Sequence, residues 1–423
     1  MWGRDVYIMW YHGLFGNSKK AKKALEYYGS FERLYEVVKT DTDTEGLLNG
    51  FKRTRLSAYS LLDASESIEC ARDLGGDIIT FESEYYPKEL LGIKDFPMLL
   101  FYEGDKEVLK EKLMVAVVGS RDASHEALSV SYNAAYCLAG SGAVIVSGAA
   151  RGVDVASHKG AVAAGGATVG VLGCGLGSPY MDRLGGFYDK MCKNGVFITE
   201  MLPLERPSRY SFPERNRIIS GMSRAVLVSF AGEKSGALIT AENAKKQKRR
   251  VYAVPPEIFS SDGCKKLLAD GAEAFYKAGD IILPYKELVA DKFNSTYCEK
   301  SINGENVPEE AYSVAENDAD EPVTVQKKTV KKKDGASRKK AEKEEKKQAE
   351  KKKNSEPLIL PDFIGADAVK IYGLLSDNKT DINSLVPLTG LPVRSVLAAI
   401  SELEIFGFVK SLPGAMVEKT GKR

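Results

Sequence analysis

Residues 114–154 read MVAVVGSRDASHEALSVSYNAAYCLAGSGAVIVSGAARGVD, and this stretch decides the fold. It holds two short, nearly continuous apolar runs, at 114–118 and 143–147, which are typical of strands covered on both faces. Residues 126–139 between them have helical spacing, and a second helix is predicted over 153–164. The order strand, helix, strand, helix predicts parallel strands joined by crossover helices.

The same alternation extends through the central part of the chain. Apolar runs at 168–172, 196–199, 225–228 and 250–254 predict four more strands, and residues 238–247 predict another helix. We therefore predict an α/β fold with a doubly wound, mostly parallel sheet, carried by residues 73–291.

Two smaller regions flank this central part. Residues 1–72 have helical spacing, Gly turns and surface lysines, which predicts a helical domain of the SAM-like or helix-hairpin-helix type, its lysines either solvated or in contact with DNA. In residues 358–423, three amphipathic helices, the second over 381–386, precede two strands around Pro413-Gly414. This order predicts a winged-helix domain, and its third helix offers so few basic side chains that contact with DNA and contact with protein both remain open.

A charged segment connects the central part to the winged helix. Residues 292–357 hold too few apolar side chains to offset the ordering entropy, so we predict a disordered linker. Residues 299–321 carry eight acidic side chains and one lysine, whereas residues 327–353 carry fourteen basic and five acidic ones, a net charge of +9. The basic half is expected to contact the phosphates of any nucleic acid.

Composition excludes several classes of protein. The 423-residue chain has a formal net charge of only +2, three histidines, and six scattered cysteines without Cys-x-x-Cys spacing. Neither a metal site nor a disulfide framework is therefore expected. No secretory leader pattern and no apolar run of about eighteen residues is present, which favours a soluble, cytoplasmic protein without a membrane partner.

Loops rich in Gly, Ser and Arg follow several predicted strands, at the sheet edge where ligands bind in doubly wound folds. Residues 212–216 form an aromatic and basic segment that precedes a predicted helix. A Gly-bearing loop opens the helix that follows the next strand. The candidate residues of these segments are Gly119, Ser120, Arg121, Ser147, Gly148, Arg151, Gly152, Phe212, Arg215, Asn216, Ser235, Gly236 and Thr240. Glycine lets the backbone approach a phosphate, arginine donates to it, and an aromatic ring stacks on a base, so these segments predict nucleic-acid binding.

The pattern argues against a nucleotide cofactor and against catalysis. The first strand lacks Gly-x-Gly-x-x-Gly, the second ends in Ser147-Gly148 rather than an acidic residue, and no P-loop motif is present. Asp154 and His158 lie four residues apart on one predicted helix, and we interpret them as structural, with Asp154 holding its loop through N–H groups. No set of nucleophile, base and orienting residue is apparent, so we predict no catalytic residues, no cofactor and no enzyme activity.

In these motifs the chain resembles the DNA-processing protein A family, also called DprA or Smf. The motifs that carry the resemblance are YPKELL at 86–91, VVGSR at 117–121, SGAARGVD at 147–154, GVLGCGL at 170–176, FPERNRII at 212–219 and SGALIT at 235–240. They span roughly residues 85–271 in the family's order. The resemblance implies an extended Rossmann-like fold that usually forms a homodimer.

The resemblance also implies a function and site roles. Members of this family bind single-stranded DNA without cleaving it, protect DNA taken up in natural transformation, and load the RecA recombinase onto it. By motif, Ser120, Arg121 and Arg151 would contact phosphate, Arg209 is the basic position before the Phe-Pro motif, and Phe212 would stack on a base. Arg215 and Asn216 would line the same pocket.

Two alternative functions stay open at this point. Phosphoribohydrolases that process nucleotides have a similar Gly-rich α/β core, but their Pro-Gly-Gly-x-Gly-Thr motif is replaced here by AGEKSG at 231–236. A winged-helix transcription factor is the second alternative, and it would prefer duplex DNA to single strands.

Overall fold

The computed structural model describes most of the chain in two compact units, Met1–Val323 and Thr324–Arg423. The residues described are 2–49, 51, 56, 58–208, 210–303, 366–375, 380–381, 385, 388–389, 396, 399–400, 403–404, 408–412 and 416–420.

A nine-stranded sheet forms the centre of the first unit. Its strands are β1 (Gly76–Thr80), β2 (Leu99–Gly104), β3 (Met114–Gly119), β4 (Val144–Ser147), β5 (Thr168–Val171), β6 (Gly195–Thr199), β7 (Ala225–Phe230), β8 (Arg250–Ala253) and β9 (Glu273–Ala274). Their order in space is β1-β2-β6-β5-β4-β3-β7-β8-β9. The seven strands from β6 to β9 are parallel, whereas β1 and β2 form an antiparallel pair at one edge.

The predicted α/β class and all six predicted strands are confirmed, with ends that shift by one or two residues. Strands β1, β2 and β9 were not predicted from the sequence. The sequence GDIIT of β1 has only two strongly apolar residues, and β9 is two residues long, so neither gives a periodic signal. The sheet is therefore larger than predicted, with an antiparallel extension next to the parallel strands.

Twelve α-helices surround this sheet in the described part of the first unit. They are α1 (Arg4–Phe15), α2 (Lys19–Tyr28), α3 (Phe31–Thr40), α4 (Leu61–Asp73), α5 (His125–Gly140), α6 (Val153–Ala163), α7 (Phe187–Asn194), α8 (Ser211–Met222), α9 (Ala237–Lys246), α10 (Asp262–Ala269), α11 (Gly279–Ile282) and α12 (Ser295–Cys298). Short 3-10 helices lie at Lys88–Gly92, Lys106–Lys110, Pro179–Leu184 and Leu283–Val289. Ser18, Ser30 and Ser60 cap α2, α3 and α4 with their hydroxyls, which fixes the start of each helix.

Both faces of the parallel sheet are covered, as its apolar strands require. Along β3, Ala116 and Val118 pack into a core with α8, α9 and α10, whereas Val115 and Val117 pack into a second core with α5 and α11. A third core joins the N-terminal helices to β2 and β6: Trp10 and Leu14 belong to the same cluster as Phe101. The N-terminal helices thus share a hydrophobic core with the sheet.

The folded part of this unit continues past residue 291, into the region assigned by composition to the linker. Residues 295–298 form α12, and Cys298 and Ile302 are 2% and 1% exposed because they pack against the α5 side of the sheet. The low apolar content of residues 292–357 as a whole concealed these few apolar side chains near its start. The predicted linker residues 304–357 lie outside the described residues.

The second unit is smaller. Its described elements are α13 (Ala366–Leu374) and a three-stranded antiparallel sheet of β10 (Thr380–Asp381), β12 (Met416–Lys419) and β11 (Val409–Leu412), in that order. The predicted strands around Pro413-Gly414 are confirmed, because Leu412 pairs with Met416. Asp381 ends a short strand instead of beginning the predicted second helix, and most of the predicted third helix lies outside the described residues.

Candidate nucleic-acid interface

A crevice lies at the carboxyl ends of β3 and β7, the two central strands of the parallel sheet. From β3 the chain winds outward through β4 and β5, whereas from β7 it winds to the other side through β8, so this is the topological switch point of the sheet. Loops from both sides separate at such a point and leave a ligand site between them. The cavity here has a volume of about 410 Å³.

Glycine at two positions lets the loops at this crevice touch. Gly152 has φ +85°, and a Cβ on it would lie 2.4 Å from the carbonyl oxygen of Ser120 and 2.5 Å from that of Arg121. A Cβ on Gly119 would lie 2.6 Å from both the Phe230 carbonyl oxygen and the Val153 side chain. The loops after β3, β4 and β7 therefore meet backbone to backbone.

Three helices begin at this crevice without a side-chain cap. The N-cap residues of α6, α8 and α9 are Gly152, Tyr210 and Gly236, and none of them caps its helix with a side-chain hydrogen bond. Several first-turn N–H groups already donate within the protein, among them Val153 to Ser120 and Leu238 to Ser235, so it is the positive end of each helix dipole that attracts an anion. Backbone as well as side chains thus favours a negatively charged ligand here.

Arg121 and Phe212 form the exposed centre of the crevice. The Arg121 side chain is exposed, and within the described part of the chain no carboxylate pairs with it. Its guanidinium carbon lies 4.5 Å from the centroid of the Phe212 ring. That ring is half-buried, lies against Gly173 and is 5.5 Å from the ring of Tyr180. A cation and an aromatic ring, the groups that contact phosphate and base, are therefore adjacent.

Arg151 lies beside this centre but is already paired. Its guanidinium donates to the carboxylate of Asp122, which is itself exposed. The Ser120 hydroxyl donates to the Asp122 carbonyl oxygen at 3.3 Å and accepts from the Asp122 N–H at 3.2 Å. A phosphate reaching Arg151 must therefore compete with Asp122, an exposed pair of the kind that contributes little to stability.

Arg215 is placed beneath the crevice rather than on its surface. It is 6% exposed, and its guanidinium donates to the carbonyl oxygens of Gly148, at 2.7 Å, and Val171. Burial lowers the pKa of Arg215 to about 10, although the nearby Asp154 carboxylate opposes that shift. Arg215 thus ties together the carboxyl ends of β4 and β5, and its hydrogen bonds go to protein.

The same loop is held by Asp154, as the sequence analysis proposed. The buried carboxylate accepts hydrogen bonds from the N–H groups of Gly148, at 3.1 Å, and Ala150, at 3.4 Å. His158 is buried below it, 2.6 Å from the Thr168 hydroxyl through Nδ1, and burial lowers its pKa to about 3. The predicted hydrogen bonds from loop N–H groups to Asp154 are therefore present, and a purely structural role for the two residues stays a prediction. Ser147 is equally buried and donates to the Val117 carbonyl oxygen at 2.6 Å.

The structure brings most of the predicted site residues together. Those that line the crevice are Gly119, Ser120, Arg121, Phe212, Arg215, Asn216, Ser235, Gly236 and Thr240. Those that support its loops from behind or beside are Ser147, Gly148, Arg151 and Gly152. Arg209 lies outside the described residues. That each of these residues contacts nucleic acid stays a prediction.

Sequence reasoning missed one basic side chain in the crevice. Lys234 lies exposed in the loop before α9 and lines the cavity with Ser235. Its position between two glycines, in a loop that follows a strand, was the available signal. Among the described residues, no group of three or more His, Cys, Asp or Glu side chains is arranged to hold a metal ion, and no helix is long and apolar enough to cross a membrane.

Comparison with known proteins relates the chain to one family. The family model described as DNA recombination-mediator protein A matches residues 77–286, and the model described as the DprA winged helix domain matches residues 350–415. The DNA processing protein DprA of Bacillus subtilis is 38% identical over 212 residues, which are 50% of this chain and 71% of that protein. The DprA of Streptococcus pneumoniae is 38% identical over 203 residues, 48% of this chain and 71% of that protein.

A solved structure agrees with these matches. The X-ray structure of DNA processing protein A from Streptococcus pneumoniae covers 67% of this chain and 98% of its own, with a TM-score of 0.57 and 30% sequence identity. The matches cover both the Rossmann-like sheet and a winged helix at the C-terminus. The chain belongs to the DprA/Smf family of DNA-processing proteins.

Proposed function

We propose that this protein binds single-stranded DNA in the crevice at the carboxyl ends of β3 and β7, and that it does not cleave the strand. The observation that carries the proposal is the contact between the exposed Arg121 guanidinium and the Phe212 ring at the topological switch point. A base can stack on an aromatic ring only when it is unpaired and unstacked, so this pair selects single strands.

The roles of the site residues follow from their exposure. Arg121 and Lys234 are exposed and contact phosphate, and the positive ends of the dipoles of α6, α8 and α9 favour the same anion. Phe212 stacks on a base. Arg215 and Asp154 are buried and position the loops that carry these groups.

We further propose what the bound strand is for, following the family resemblance. The protein protects single-stranded DNA and loads the RecA recombinase onto it during natural transformation or recombination. It acts in the cytoplasm as a homodimer formed through the Rossmann-like domain. Sedimentation of the purified protein tests the dimer, and RecA filament assembly on strands coated with single-strand-binding protein tests loading.

The binding proposal is tested by titration against salt. Oligo-dT and a duplex of the same length are each titrated with the full chain at several salt concentrations. We expect tighter binding of oligo-dT, with a log–log salt slope that reports the number of phosphates contacted. Equal or tighter binding of the duplex would overturn the proposal in favour of a winged-helix duplex binder.

A parallel assay tests the absence of catalysis. The protein is incubated with nucleoside monophosphates and with single-stranded DNA, and the release of free base or of shorter strands is measured. We expect neither. Base release that depends on Asp154 would identify a phosphoribohydrolase instead.

A further inference from the structure

A second and larger cavity lies next to the crevice. This cleft has a volume of about 1270 Å³ and is bounded by the connection between α1 and α2, by the segment after β6, and by the C-terminal end of α9. Helix α8 separates the two cavities: Asn216 and Ile219 line the crevice, whereas Arg217 and Ile218 line the cleft. Pro213 and Arg215 line both, so the cavities adjoin at the start of α8.

A buried polar network holds the walls of the cleft in place. Arg217 donates to both carboxylate oxygens of Glu200 at 2.5 Å, and the Asn17 amide donates to the same carboxylate at 2.6 Å. His12 donates through Nε2 to the Glu200 carbonyl oxygen at 2.6 Å, and burial lowers the pKa of His12. One carboxylate thus joins the N-terminal helices to the sheet and to α8, which makes the cleft a preformed cavity.

The charge of the cleft differs from that of the crevice. Acidic and basic side chains line it in equal number. Two of these charges, on Arg217 and Glu200, neutralise each other in an ion pair. Such a surface does not attract phosphate. It does offer apolar walls, from Leu172 and Ile218 among others, and polar groups of both kinds.

Two of these polar groups are unpartnered. Arg217 Nη1, a donor, and Gln247 Oε1, an acceptor, are both buried and have no hydrogen-bond partner among the described residues. The two residues are adjacent, because the Gln247 amide donates to the Arg217 backbone carbonyl oxygen at 3.0 Å. Both unpartnered atoms are buried, so a ligand meets them only when these side chains turn toward the cleft. A flat, uncharged ring with acceptors and donors along its edge, such as a nucleobase, offers each of them a partner.

We propose that the cleft receives bases of the same single strand whose phosphate is held at Arg121. This inference rests on the proposed function of the crevice. The strand passes the start of α8 at Pro213, its backbone stays at the basic crevice, and the following bases turn into the neutral cleft. A volume of about 1270 Å³ exceeds the usual size of a small-molecule pocket, roughly 300–1000 Å³, and so admits more than one base.

The test places a fluorescent purine analogue at each position of oligo-dT in turn. Bound to the full chain, an analogue that enters the cleft is shielded from a collisional quencher. The variants Asn243→Trp, on α9, and Met201→Trp, after β6, fill the cleft from two different walls. Asn243→Ala is the matched control, since it removes the same amide without filling the space.

With the wild-type protein and with Asn243→Ala, we expect one or two adjacent positions to be shielded from the quencher. Each Trp variant is expected to return those positions to the quenching constant of the free strand and to weaken binding about tenfold, the cost of losing one stacked base. The salt slope is expected to stay unchanged, because no phosphate contact is lost. Melting curves establish that both variants are folded.

The outcomes separate this inference from the proposed function. If oligo-dT binds and Arg121→Ala weakens it, but no shielded position responds to either Trp variant, the cleft inference is wrong and the crevice stands. If oligo-dT does not bind at all, the proposed function fails. If the Trp variants lower the salt slope, the cleft holds phosphate rather than base, and the inference is overturned.

Discussion

The Phe212 ring that we assign to base stacking is partly covered in this structure. Gly173 lies close to the ring, and the guanidinium of Arg121 lies over it, 4.5 Å from its centroid. A base that stacks on the face under Arg121 must displace this side chain, and a phosphate of the same strand gives Arg121 a new partner. Phosphate capture and base stacking become a single event at these two residues.

This coupling predicts a result for a double-mutant cycle on Arg121 and Phe212. Arg121→Ala is expected to lower the log–log salt slope for oligo-dT by roughly 0.7, because one phosphate contact is lost. Phe212→Leu is expected to weaken binding by roughly 1–3 kcal/mol with the slope kept. The double variant is expected to lose more than the sum of the two, since each single substitution also removes the Arg121–Phe212 contact that binding must break, and this relief is gained only once.

A matched control is available at the opposite end of the strands. Arg250 begins β8, away from the crevice, and pairs with Glu273. Arg250→Ala should leave the salt slope unchanged. Additive effects in the cycle would show that Arg121 does not cover the ring in solution, and an unchanged slope for Arg121→Ala would remove it from the phosphate site.

Buried His158 predicts a pH dependence of stability. Its pKa is lowered from 6.5 to about 3, so between these values the unfolded chain binds a proton that the folded chain does not. The free energy of unfolding therefore falls on acidification, by about 1.4 kcal/mol per pH unit from this side chain. His158→Asn, which keeps a polar group near Thr168, is expected to lose some stability at neutral pH and to show a shallower pH dependence below it.

Urea unfolding at neutral pH and at about pH 5 measures this effect, which should amount to about 2 kcal/mol over that interval. His125→Gln, at an exposed position at the start of α5, is the control and should keep the wild-type pH dependence. The same pH dependence in wild type and His158→Asn would show that His158 does not cause it.

At the scale of helices and loops, Gly152 is the glycine of the crevice that leaves the least room for a side chain. Gly152→Ala would place a methyl group 2.4 Å from the Ser120 carbonyl oxygen, in addition to the strain of φ +85°. Gly165, with φ +69° and nothing within 4 Å of a Cβ, provides the comparison. Gly165→Ala should cost about 1–2 kcal/mol of stability without affecting binding. Gly152→Ala should cost more and should also weaken oligo-dT binding, because it moves the loop that carries Arg121.

Thermal melts and oligo-dT titrations of Gly152→Ala and Gly165→Ala measure the two effects, on stability and on binding. Equal losses of stability with equal, wild-type affinity would mean that the loop after β3 does not need contact with the turn before α6.

Six strands of the sheet, β3 to β8, could be predicted because each is buried on both faces and so reads as an apolar run. The site could be located because the carboxyl ends of parallel strands lie at the same edge of a sheet. The direction of individual side chains could not be predicted. In the segment Phe212–Arg217, helix α8 turns Arg215 inward to two carbonyl oxygens and Arg217 toward Glu200, whereas Phe212 stays half-exposed. Only the packing of α8 against the sheet determines which basic residue meets solvent.

At the scale of the whole chain, the charged segment before the winged helix predicts added affinity without added selectivity. Residues 304–357 of this segment lie outside the described residues, and the division of the chain at residues 72 and 357 stays a prediction. Deleting residues 327–353 removes a net charge of +9 and should weaken single-strand and duplex binding by similar factors. Titrations of full-length and deleted protein against both forms of DNA measure this. Loss of the preference for single strands would place selectivity in the segment and not in the crevice.

The core shared by the N-terminal helices and the sheet has an evolutionary consequence. Trp10 and Leu14 pack in one cluster with Phe101 and Phe197, so neither surface can change its shape alone without opening a void or a clash. Recombination between genes that exchanged the first 72 codons would join surfaces that had diverged separately. Substitutions on the two sides should instead appear as compensating pairs among descendants of one ancestor, and the helices and the sheet should have been inherited together.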